Sequence, residues 1–523
     1  MTELPIIVAT AFGLGVGARL VGLPPLVGFL GAGFALRSAG FGSSPLLERV
    51  ADLGVTLLLF TIGLKLDVRS LLKPAVWAGT TIHMALFVLL FAGLFYVLDF
   101  GVFAGVDLRT GALIAFALSF SSTVFAVKTF DERGQSGSLA ANTAIGMLIM
   151  QDVIAVVFLA ASKGKPPSIW AIALLLLIPA RVVLKRLMFR SGHGELLLLF
   201  GFIMALGGSR LFEEVGLKGD LGALAFGMLI ANDPKAKELA RALMGFKDLM
   251  LVGFFVAIGL RGTPSLPDVG VALLLVLFIP VKVALYFSVL TRFRYRARTS
   301  AIASLSLADY SEFGLIVGTV GVKLGWLSDQ WLVIIAVAVA ITFVTASPVN
   351  AHANELYDRY RNFLKRFQTK TRLPEEQPVH PGDAELLIVG MGNVGTAAYD
   401  ALKDDFQGRL VGLDNDLRTV EQHAEAGRRV LCGDPTDIDF WDRVVRQNTV
   451  KIVMLALPNH AANLATAAEI RQFEDRARKV LITASARHAD DREELQEHGV
   501  DAAFDLHTEA GRGYADFVRD LVQ

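Results

Sequence analysis

SLAANTAIGMLIMQDVIAVVFLAA, residues 138–161, is an apolar run long enough to cross a bilayer, yet it carries a glutamine and an aspartate side by side. Asp152 lies about fourteen residues into the run, near mid-bilayer. An ionisable group at that depth is costly and usually functional, although a structural pair with another helix is the alternative. Gln151 and Asp152 point about 100° apart on a helix, so both can border one polar cavity. The stretch indicates a helical membrane protein with a charged site inside the bilayer.

The rest of the chain supports this fold class. The 523 residues are 53% hydrophobic, and long apolar runs recur from residue 4 to about residue 349. The apolar runs predict membrane lipid as a partner, and because the formal net charge is zero we expect no nucleic acid partner. We predict thirteen transmembrane helices, at roughly 4–20, 24–39, 50–66, 76–98, 109–128, 138–162, 168–187, 195–212, 219–232, 247–261, 268–290, 299–323 and 330–349.

Alternate loops are rich in lysine and arginine. The rich loops hold Lys65, Arg69 and Lys73; Arg181, Lys185, Arg186 and Arg190; Lys235, Lys237 and Arg241; and Arg292, Arg294, Arg296 and Arg298. The positive-inside rule places these loops in the cytoplasm. The N-terminus is then outside and the C-terminal domain cytoplasmic, which agrees with an odd number of spans.

Other predicted spans also carry polar groups at mid-depth. Lys282 lies in "LFIPVKVALYF", and both Asp309 and Glu312 lie in "SLSLADYSEFGLIVG". A hydroxyl cluster in "ALSFSSTVFAV" contains Ser121, Ser122 and Thr123. Such clusters fit interrupted helices whose freed carbonyls and helix ends face an ion. Hydrogen bonding between helices is the alternative, and for Lys282 it is a structural salt bridge to Asp152.

Five segments together resemble signature segments of the Kef-type bacterial cation:proton antiporters: "VADLGVTLLLFTIGLKLDVRSL", "ALSFSSTVFAVK", "MQDVIAVV", "GFFVAIGL" and "SEFGLIVG". The resemblance covers residues 4–349. It implies a multi-pass protein of the bacterial inner membrane, built from inverted repeats and working by alternating access. It also implies a homodimer and a core with two crossed discontinuous helices, one at Ser121–Thr123 and one at Asp309–Glu312. In potassium-transporting members a glutamine precedes the aspartate, as Gln151 does here, whereas sodium/proton relatives often have aspartate there.

One carboxylate holds one proton or neighbours one cation, and a neutral glutamine adds no charge. We therefore predict 1:1 electroneutral exchange, with Asp152 as the shared site of proton and cation. Lys282 would stabilise ionised Asp152 or compete with the cation for it. The preference for potassium rests mainly on the resemblance, so a sodium/proton antiporter of the same architecture remains the alternative.

Near residue 350 the chain becomes polar. We predict a transmembrane domain over 1–350, a charged helix and linker over 351–383, and a soluble α/β domain with a six-stranded parallel sheet over 384–523. A GxGxxG turn follows its first strand, and Asp414 ends the second. This pattern predicts a Rossmann-like domain that binds NAD(H) or AMP, unless the fold has lost its ligand. The candidate ligand residues are Gly390, Gly392, Asn393, Val394, Gly395, Asp414 and Asn415.

The following "RRVLCGDPTD" resembles the GDxT loop of regulators of potassium conductance. The resemblance implies that Asp434 and Thr436 lie near the adenosine side of the ligand. Arg487 stands where Kef-type members have an arginine that binds glutathione, but Ser485 replaces a second basic residue that is common there. The cytoplasmic segment "KELARALMGFK" also lacks the acidic contacts usual in Kef-type members. We therefore expect nucleotide control and regard glutathione regulation as doubtful.

Two other classes fit the sequence less well. A membrane-anchored NAD-dependent oxidoreductase would need a substrate domain, but one dinucleotide fold uses all residues after Ala384. A potassium channel would need a selectivity filter of the TVGYG type, which the sequence lacks. We expect a transporter and not an enzyme.

Overall fold

The structure is a computed structural model that describes residues 3–21, 23, 25–65, 72–97, 106–133, 135, 138–162, 168, 174, 176–216, 219–231, 233–457, 459–472, 480–486 and 489–522. Its contacts divide the chain into two compact units. The first unit comprises residues 1–125, 144–293 and 304–355. The second comprises 126–143, 294–303 and 356–523, so it includes two short segments from the N-terminal part of the chain.

The N-terminal part of the chain is helical. Its helices are α1 (Glu3–Leu20), α2 (Pro25–Ser38), α3 (Pro45–Lys65), α4 (Pro74–Val97), α5 (Leu108–Ser119), α6 (Thr123–Glu132), α7 (Leu139–Ala161), α8 (Leu177–Arg190), α9 (Glu195–Glu214), α10 (Gly219–Ile230), α11 (Pro234–Gly259), α12 (Leu266–Val276), α13 (Ile279–Arg292), α14 (Ala297–Ser306), α15 (Glu312–Lys323) and α16 (Asp329–Ala351).

Within the described residues, six helical stretches are long and apolar enough to cross a membrane: Pro74–Val97, Leu139–Leu159, Glu195–Glu214, Glu238–Gly259, Leu266–Arg292 and Asp329–Ala351. Leu4–Leu20 and Leu108–Ser119 are shorter apolar helices. The predicted helical, multi-pass membrane part is therefore confirmed. The count of thirteen spans and the inverted repeats stay predictions.

Glycine pairs let several helices of the first unit touch backbone to backbone. The pairs are Gly33 with Gly259 (α2 and α11), Gly63 with Gly227 (α3 and α10) and Gly208 with Gly222 (α9 and α10). A methyl group added at Gly63 would lie 2.3 Å from the Leu224 carbonyl oxygen, which is far inside contact distance. A similar approach joins α15 to α5, because a methyl at Gly314 would lie 2.3 Å from the Ala117 carbonyl oxygen. Small residues permit such close helix crossings in membranes.

The second unit contains a parallel sheet. Its elements are α17 (Ala353–Leu364), β1 (Leu386–Val389), α18 (Asn393–Leu402), β2 (Leu410–Asp414), α19 (Leu417–Glu425), β3 (Val430–Cys432), α20 (Ile438–Gln447), β4 (Ile452–Leu455), α21 (His460–Arg471), β5 (Leu481–Ala486), α22 (Ala489–Glu497), β6 (Ala502–Asp505) and α23 (Leu506–Val522). The strand order is β3-β2-β1-β4-β5-β6, and all pairs are parallel. The predicted six-stranded Rossmann-like sheet is confirmed. Because the strand order reverses beside β1, the turn after β1 lies where such sheets bind ligands.

Candidate functional site

Two helices in the N-terminal part of the chain are broken where the sequence places its hydroxyl clusters. One break separates α5, which ends at Ser119, from α6, which begins at Thr123. The other separates α14, which ends at Ser306, from α15, which begins at Glu312. Serines start both second halves: the Ser122 hydroxyl accepts a hydrogen bond from the Phe125 amide at 3.3 Å, and the Ser311 hydroxyl accepts one from the Phe313 amide at 3.1 Å.

The two breaks contact each other. The Ser121 hydroxyl donates to the Leu307 carbonyl at 2.9 Å, and the Ser122 amide donates to the Asp309 carboxylate at 3.1 Å. Helix N-termini, which carry partial positive charge, and carbonyls freed from helical bonding therefore meet in one place. This is the arrangement with which transporters hold ions at mid-membrane.

Lys282 satisfies carbonyls from both breaks. Its fully buried ammonium donates to the carbonyls of Leu118 at 3.1 Å, Phe120 at 2.6 Å and Asp309 at 2.7 Å. Within the part of the chain that the structure describes, no hydrogen bond or ion pair joins Lys282 to Asp152. The structural salt bridge to Asp152, the alternative interpretation of Lys282, is thus not what the described residues show. Carbonyls of a broken helix need a donor inside a membrane, and Lys282 supplies it.

The side-chain amide of Gln151 also forms hydrogen bonds with both its oxygen and its nitrogen. Its carbonyl oxygen accepts a hydrogen bond from the Ser121 amide at 2.9 Å, and its amide nitrogen donates to the Ser119 carbonyl at 3.3 Å. The same nitrogen donates to the Tyr286 hydroxyl. Sequence reasoning missed Tyr286, although it lies four residues after Lys282 and thus on the same face of α13.

The carboxylate of Asp152 differs from the side chains of Lys282 and Gln151. The side chain is 1% exposed, and neither oxygen has a hydrogen-bond partner among the described residues. The polar groups that act on the Asp152 carboxylate are the Glu312 carboxyl and the Thr123 hydroxyl. A lone carboxylate beside a hydroxyl can accept a proton or neighbour a monovalent cation, and the two would compete for it.

In the second unit the GxGxxG turn has the geometry that the sequence predicts. Gly390 has φ +92°, and a methyl group there would lie 2.8 Å from the Ala456 carbonyl oxygen. A methyl group at Gly395 would lie 1.9 Å from the Gly390 carbonyl oxygen. Only glycine fits either position. Gly392 precedes α18, whose first residues Asn393 and Val394 are exposed, so the helix N-terminus is open to an anionic group.

Asp414 is fixed beside this turn. Its carboxylate accepts hydrogen bonds from the Met391 amide at 2.8 Å and from the Asp416 amide at 2.9 Å, and the neighbouring Asn415 is half-buried. A ribose-binding acid belongs at this place, at the end of the second strand. Cys432 pairs with Asp414 in the sheet register. Burial and then the Asp414 charge raise the pKa of the Cys432 thiol to about 11.

The GDxT loop has partners from outside the Rossmann fold. The Arg298 guanidinium, 4% exposed, donates to the Asp434 carboxylate at 3.0 Å and to the Thr436 carbonyl at 2.7 Å. The Gln135 amide donates to the Thr436 hydroxyl at 3.0 Å. Burial alone would raise the pKa of Asp437, but the guanidiniums of Arg296 and Arg298 lower it below its ordinary value.

These contacts were not foreseen from the sequence, which assigned Asp434 and Thr436 to a nucleotide. Gln135 follows α6 and Arg298 lies in the first turn of α14, so the GDxT loop contacts a residue in or next to one half of each broken helix. Arg487, the predicted glutathione-site residue, lies outside the described residues.

Comparisons with known proteins bear on both parts of the chain. A family model described as "Sodium/hydrogen exchanger, transmembrane" matches residues 6–351, and a TrkA-N domain model matches residues 386–505. The glutathione-regulated potassium-efflux system protein KefC of Enterobacter sp. (strain 638) is 26% identical over 94% of this chain and 80% of its own length. KefC of Salmonella schwarzengrund (strain CVM19633) is 26% identical over 92% of this chain and 78% of its own length.

Among solved structures, the NAD(P)-binding domain of an exopolyphosphatase-related protein from Archaeoglobus fulgidus is 17% identical, covers 26% of this chain and 98% of that domain, and has a TM-score of 0.24. The two family matches and the KefC relatives confirm the Kef-type resemblance and the predicted order of an exchanger followed by a regulator domain. They also confirm a transporter and not an enzyme.

Proposed function

The chain belongs to the sodium/hydrogen exchanger family of transmembrane proteins, and we propose that it exchanges potassium ions for protons by alternating access across a bacterial inner membrane. One observation carries the proposal: Asp152 is buried beside the place where two broken helices meet, and within the described residues its carboxylate has no hydrogen-bond partner. Binding of either a proton or a cation stabilises a carboxylate in that state. The two ligands therefore displace each other.

The proposed stoichiometry follows from the same site, and the proposed ion follows from the relatives. Asp152 is adjacent to a neutral Gln151, so one proton exchanges for one monovalent cation and the exchange is electroneutral. The KefC relatives are named as potassium-efflux proteins, which supports potassium over sodium. The proposal includes thirteen spans with inverted repeats, an outside N-terminus, a cytoplasmic C-terminal domain and a homodimer.

Nucleotide binding at the GxGxxG turn would regulate the exchange, with NAD(H) or AMP as ligand. The open N-terminus of α18 and the fixed Asp414 support a ligand with phosphate and ribose. The contacts of Gln135 and Arg298 with the GDxT loop support a route from the nucleotide site to α6 and α14. The relatives are named glutathione-regulated, so glutathione is the second candidate effector.

The test is proton-coupled flux into proteoliposomes, with potassium and then sodium gradients. We expect a potassium-driven proton flux in the unmodified protein that Asp152→Asn abolishes and Asp329→Asn preserves. Asp329 is a matched aspartate, 60% exposed at the start of α16. A proton flux driven by sodium and not by potassium would show that the protein is a sodium/proton antiporter, the alternative. Flux that survives Asp152→Asn would contradict the proposed site.

Regulation is tested separately on the full chain. We expect NADH, NAD or AMP to change the flux, and Arg298→Gln to remove that change while the measured nucleotide affinity stays within about twofold. Equal nucleotide control in the Arg298→Gln variant would exclude this route. A response to glutathione and not to nucleotides would exclude nucleotide control.

A further inference from the structure

Gln151 and its neighbours form a set of contacts that the exchange chemistry of Asp152 does not explain. We propose that Gln151 is a positioning residue that holds the first helix break closed, that Tyr286 and His83 hold Gln151 in place, and that Asp152 alone of the adjacent pair meets the ion. The inference rests on the proposed exchange and adds residues to it.

The hydrogen-bonding capacity of Gln151 is nearly used up by its neighbours. A glutamine amide has two N–H donors, and here they serve the Ser119 carbonyl at 3.3 Å and the Tyr286 hydroxyl. Its oxygen accepts from the Ser121 amide at 2.9 Å. Ser119 and Ser121 flank the break between α5 and α6, so the side chain replaces bonds that the broken helix has lost. One lone pair of that oxygen remains, and the Gln151→Glu variant tests whether a cation uses it.

Tyr286 connects this amide to the second break. The phenol is fully buried, and its hydroxyl lies within hydrogen-bonding range of both Gln151 and the Ser121 hydroxyl. The Ser121 hydroxyl in turn donates to the Leu307 carbonyl at 2.9 Å. Lys282 lies one turn earlier on α13 and holds carbonyls of both breaks. One face of α13 therefore fixes both interruptions, through an ammonium and a phenol.

His83 of α4 fixes the plane of the phenol. Its ring stacks on that of Tyr286 with centroids 3.4 Å apart and planes 7° from parallel. The imidazole is fully buried, and within the described residues neither nitrogen has a hydrogen-bond partner. The flat face of the ring is thus what His83 contributes, and it orients the Tyr286 hydroxyl toward Gln151.

The first experiment measures the apparent KM for potassium and the maximal flux in proteoliposomes. We expect Tyr286→Phe to raise KM about five- to tenfold with a maximal flux within about threefold, because the ring stays and the hydroxyl is lost. Tyr96→Phe, which removes a hydroxyl from the exposed end of α4, should leave KM unchanged. An unchanged KM in Tyr286→Phe would overturn the role of Tyr286.

A double-mutant cycle then asks whether Tyr286 acts through Gln151. We expect the Gln151→Ala and Tyr286→Phe double variant to match Gln151→Ala alone, whereas additive losses would overturn the inference.

The Gln151→Glu variant distinguishes a positioning role of Gln151 from a role as a direct cation ligand. A carboxylate cannot donate to the Ser119 carbonyl as the amide does, so positioning predicts a higher KM, and a direct cation ligand predicts a lower one. A lower KM in Gln151→Glu would overturn the inference.

Hydrogen exchange gives a readout that does not depend on transport. Peptides that contain the Ser121 amide should exchange their hydrogens faster in Gln151→Ala and Tyr286→Phe than in Tyr96→Phe.

Two His83 variants test the stacking role by the same hydrogen exchange. His83→Phe keeps a flat ring and should exchange like the unmodified protein, whereas His83→Ala should exchange like Tyr286→Phe. Equal defects in both His83 variants would overturn the stacking role. Loss of all flux in the unmodified protein, with these exchange differences intact, would contradict the proposed function and not this inference.

Discussion

The two aspartates at the centres of the two candidate sites are held in opposite ways. Asp152 is 1% exposed and has no hydrogen-bond partner among the described residues, whereas the Asp414 carboxylate accepts two backbone N–H bonds at the edge of the sheet. A carboxylate that must exchange one partner for another has to be left without a fixed one. A carboxylate that recognises a ligand by shape has to be fixed before the ligand arrives.

Exchanging each aspartate for asparagine gives the largest contrast between the two sites. Asp152→Asn should abolish proton-coupled flux and raise the melting temperature of the detergent-solubilised protein, because it removes a buried, unpaired carboxyl. Asp414→Asn should lower the melting temperature, since an amide cannot accept from both backbone donors; the loss is about 1–3 kcal/mol. Scanning fluorimetry measures both. A lower melting temperature in Asp152→Asn would show that Asp152 has a structural partner.

A substitution at Gly395 tests whether the nucleotide site depends on the shape of its backbone, as the Asp152 site depends on its charge. Gly395→Ala would place a methyl group 1.9 Å from the Gly390 carbonyl oxygen, so the turn has to open. We expect nucleotide affinity, measured by calorimetry, to fall at least about thirtyfold, or about 2 kcal/mol. Gly511→Ala is the control, because a methyl group there meets nothing within 4 Å. Equal affinities in the two variants would place the ligand elsewhere.

Glu469 extends the comparison to a carboxylate in the second unit that, like Asp152, is buried with an oxygen lacking a partner in the described part of the chain. Burial raises the pKa of Glu469 from 4.5 to about 7, although Arg298 opposes the shift. The folded state therefore binds this proton more tightly than the unfolded state. The free energy of unfolding should fall as pH rises from 4.5 to about 7, and then level off.

Glu469→Gln should remove that fall. The variant and the unmodified protein should be similar near pH 4.5, and at pH 8 the variant should be more stable by about 3 kcal/mol. Denaturant unfolding at several pH values, followed through the second unit, measures the difference. A parallel pH dependence in the two proteins would mean that Glu469 has an ordinary environment.

The smallest expected effect uses Cys432 to report the charge of Asp414. Because burial and the Asp414 carboxylate raise the pKa of the thiol to about 11, maleimide labelling should be slow at pH 7. Asp414→Asn removes one of these causes and should speed labelling at pH 9 about threefold. Asp404→Asn, on an exposed loop, is the control. Equal rates in all three proteins would leave burial as the cause.

Local patterns in the sequence predict much of this molecule. Strand alternation and the GxGxxG turn predict the six-stranded sheet, because the glycines meet local steric demands. The serine and threonine clusters predict the positions of the two helix breaks, since the same hydroxyls cap the helices that follow. The family resemblance gives the order of the two domains.

What the sequence does not predict is how polar groups pair across the fold. A salt bridge from Lys282 to Asp152 was one interpretation of the sequence, but Lys282 donates to carbonyls of the broken helices, which need a donor. Gln151 was expected to face the ion, yet it bonds the backbone. The partners of the GDxT loop, Gln135 and Arg298, come from positions more than 130 residues earlier. Such pairings depend on tertiary packing, and no local pattern reveals them.

The glycine crossings limit where the first unit can slide. Three helix pairs touch at paired glycines with no side chain between them: α2 with α11, α3 with α10, and α9 with α10. Such close backbone contact leaves these helices little room to slide past each other. The contact of Gly314 with Ala117 fastens α15 to α5 in the same way. Among the described glycines, no approach of this kind joins α5 or α15 to α2, α3, α9, α10 or α11. The close backbone contacts thus form two separate groups of helices, with larger apolar side chains packed between the groups. We expect any sliding of helices that accompanies ion transport to occur between these two groups.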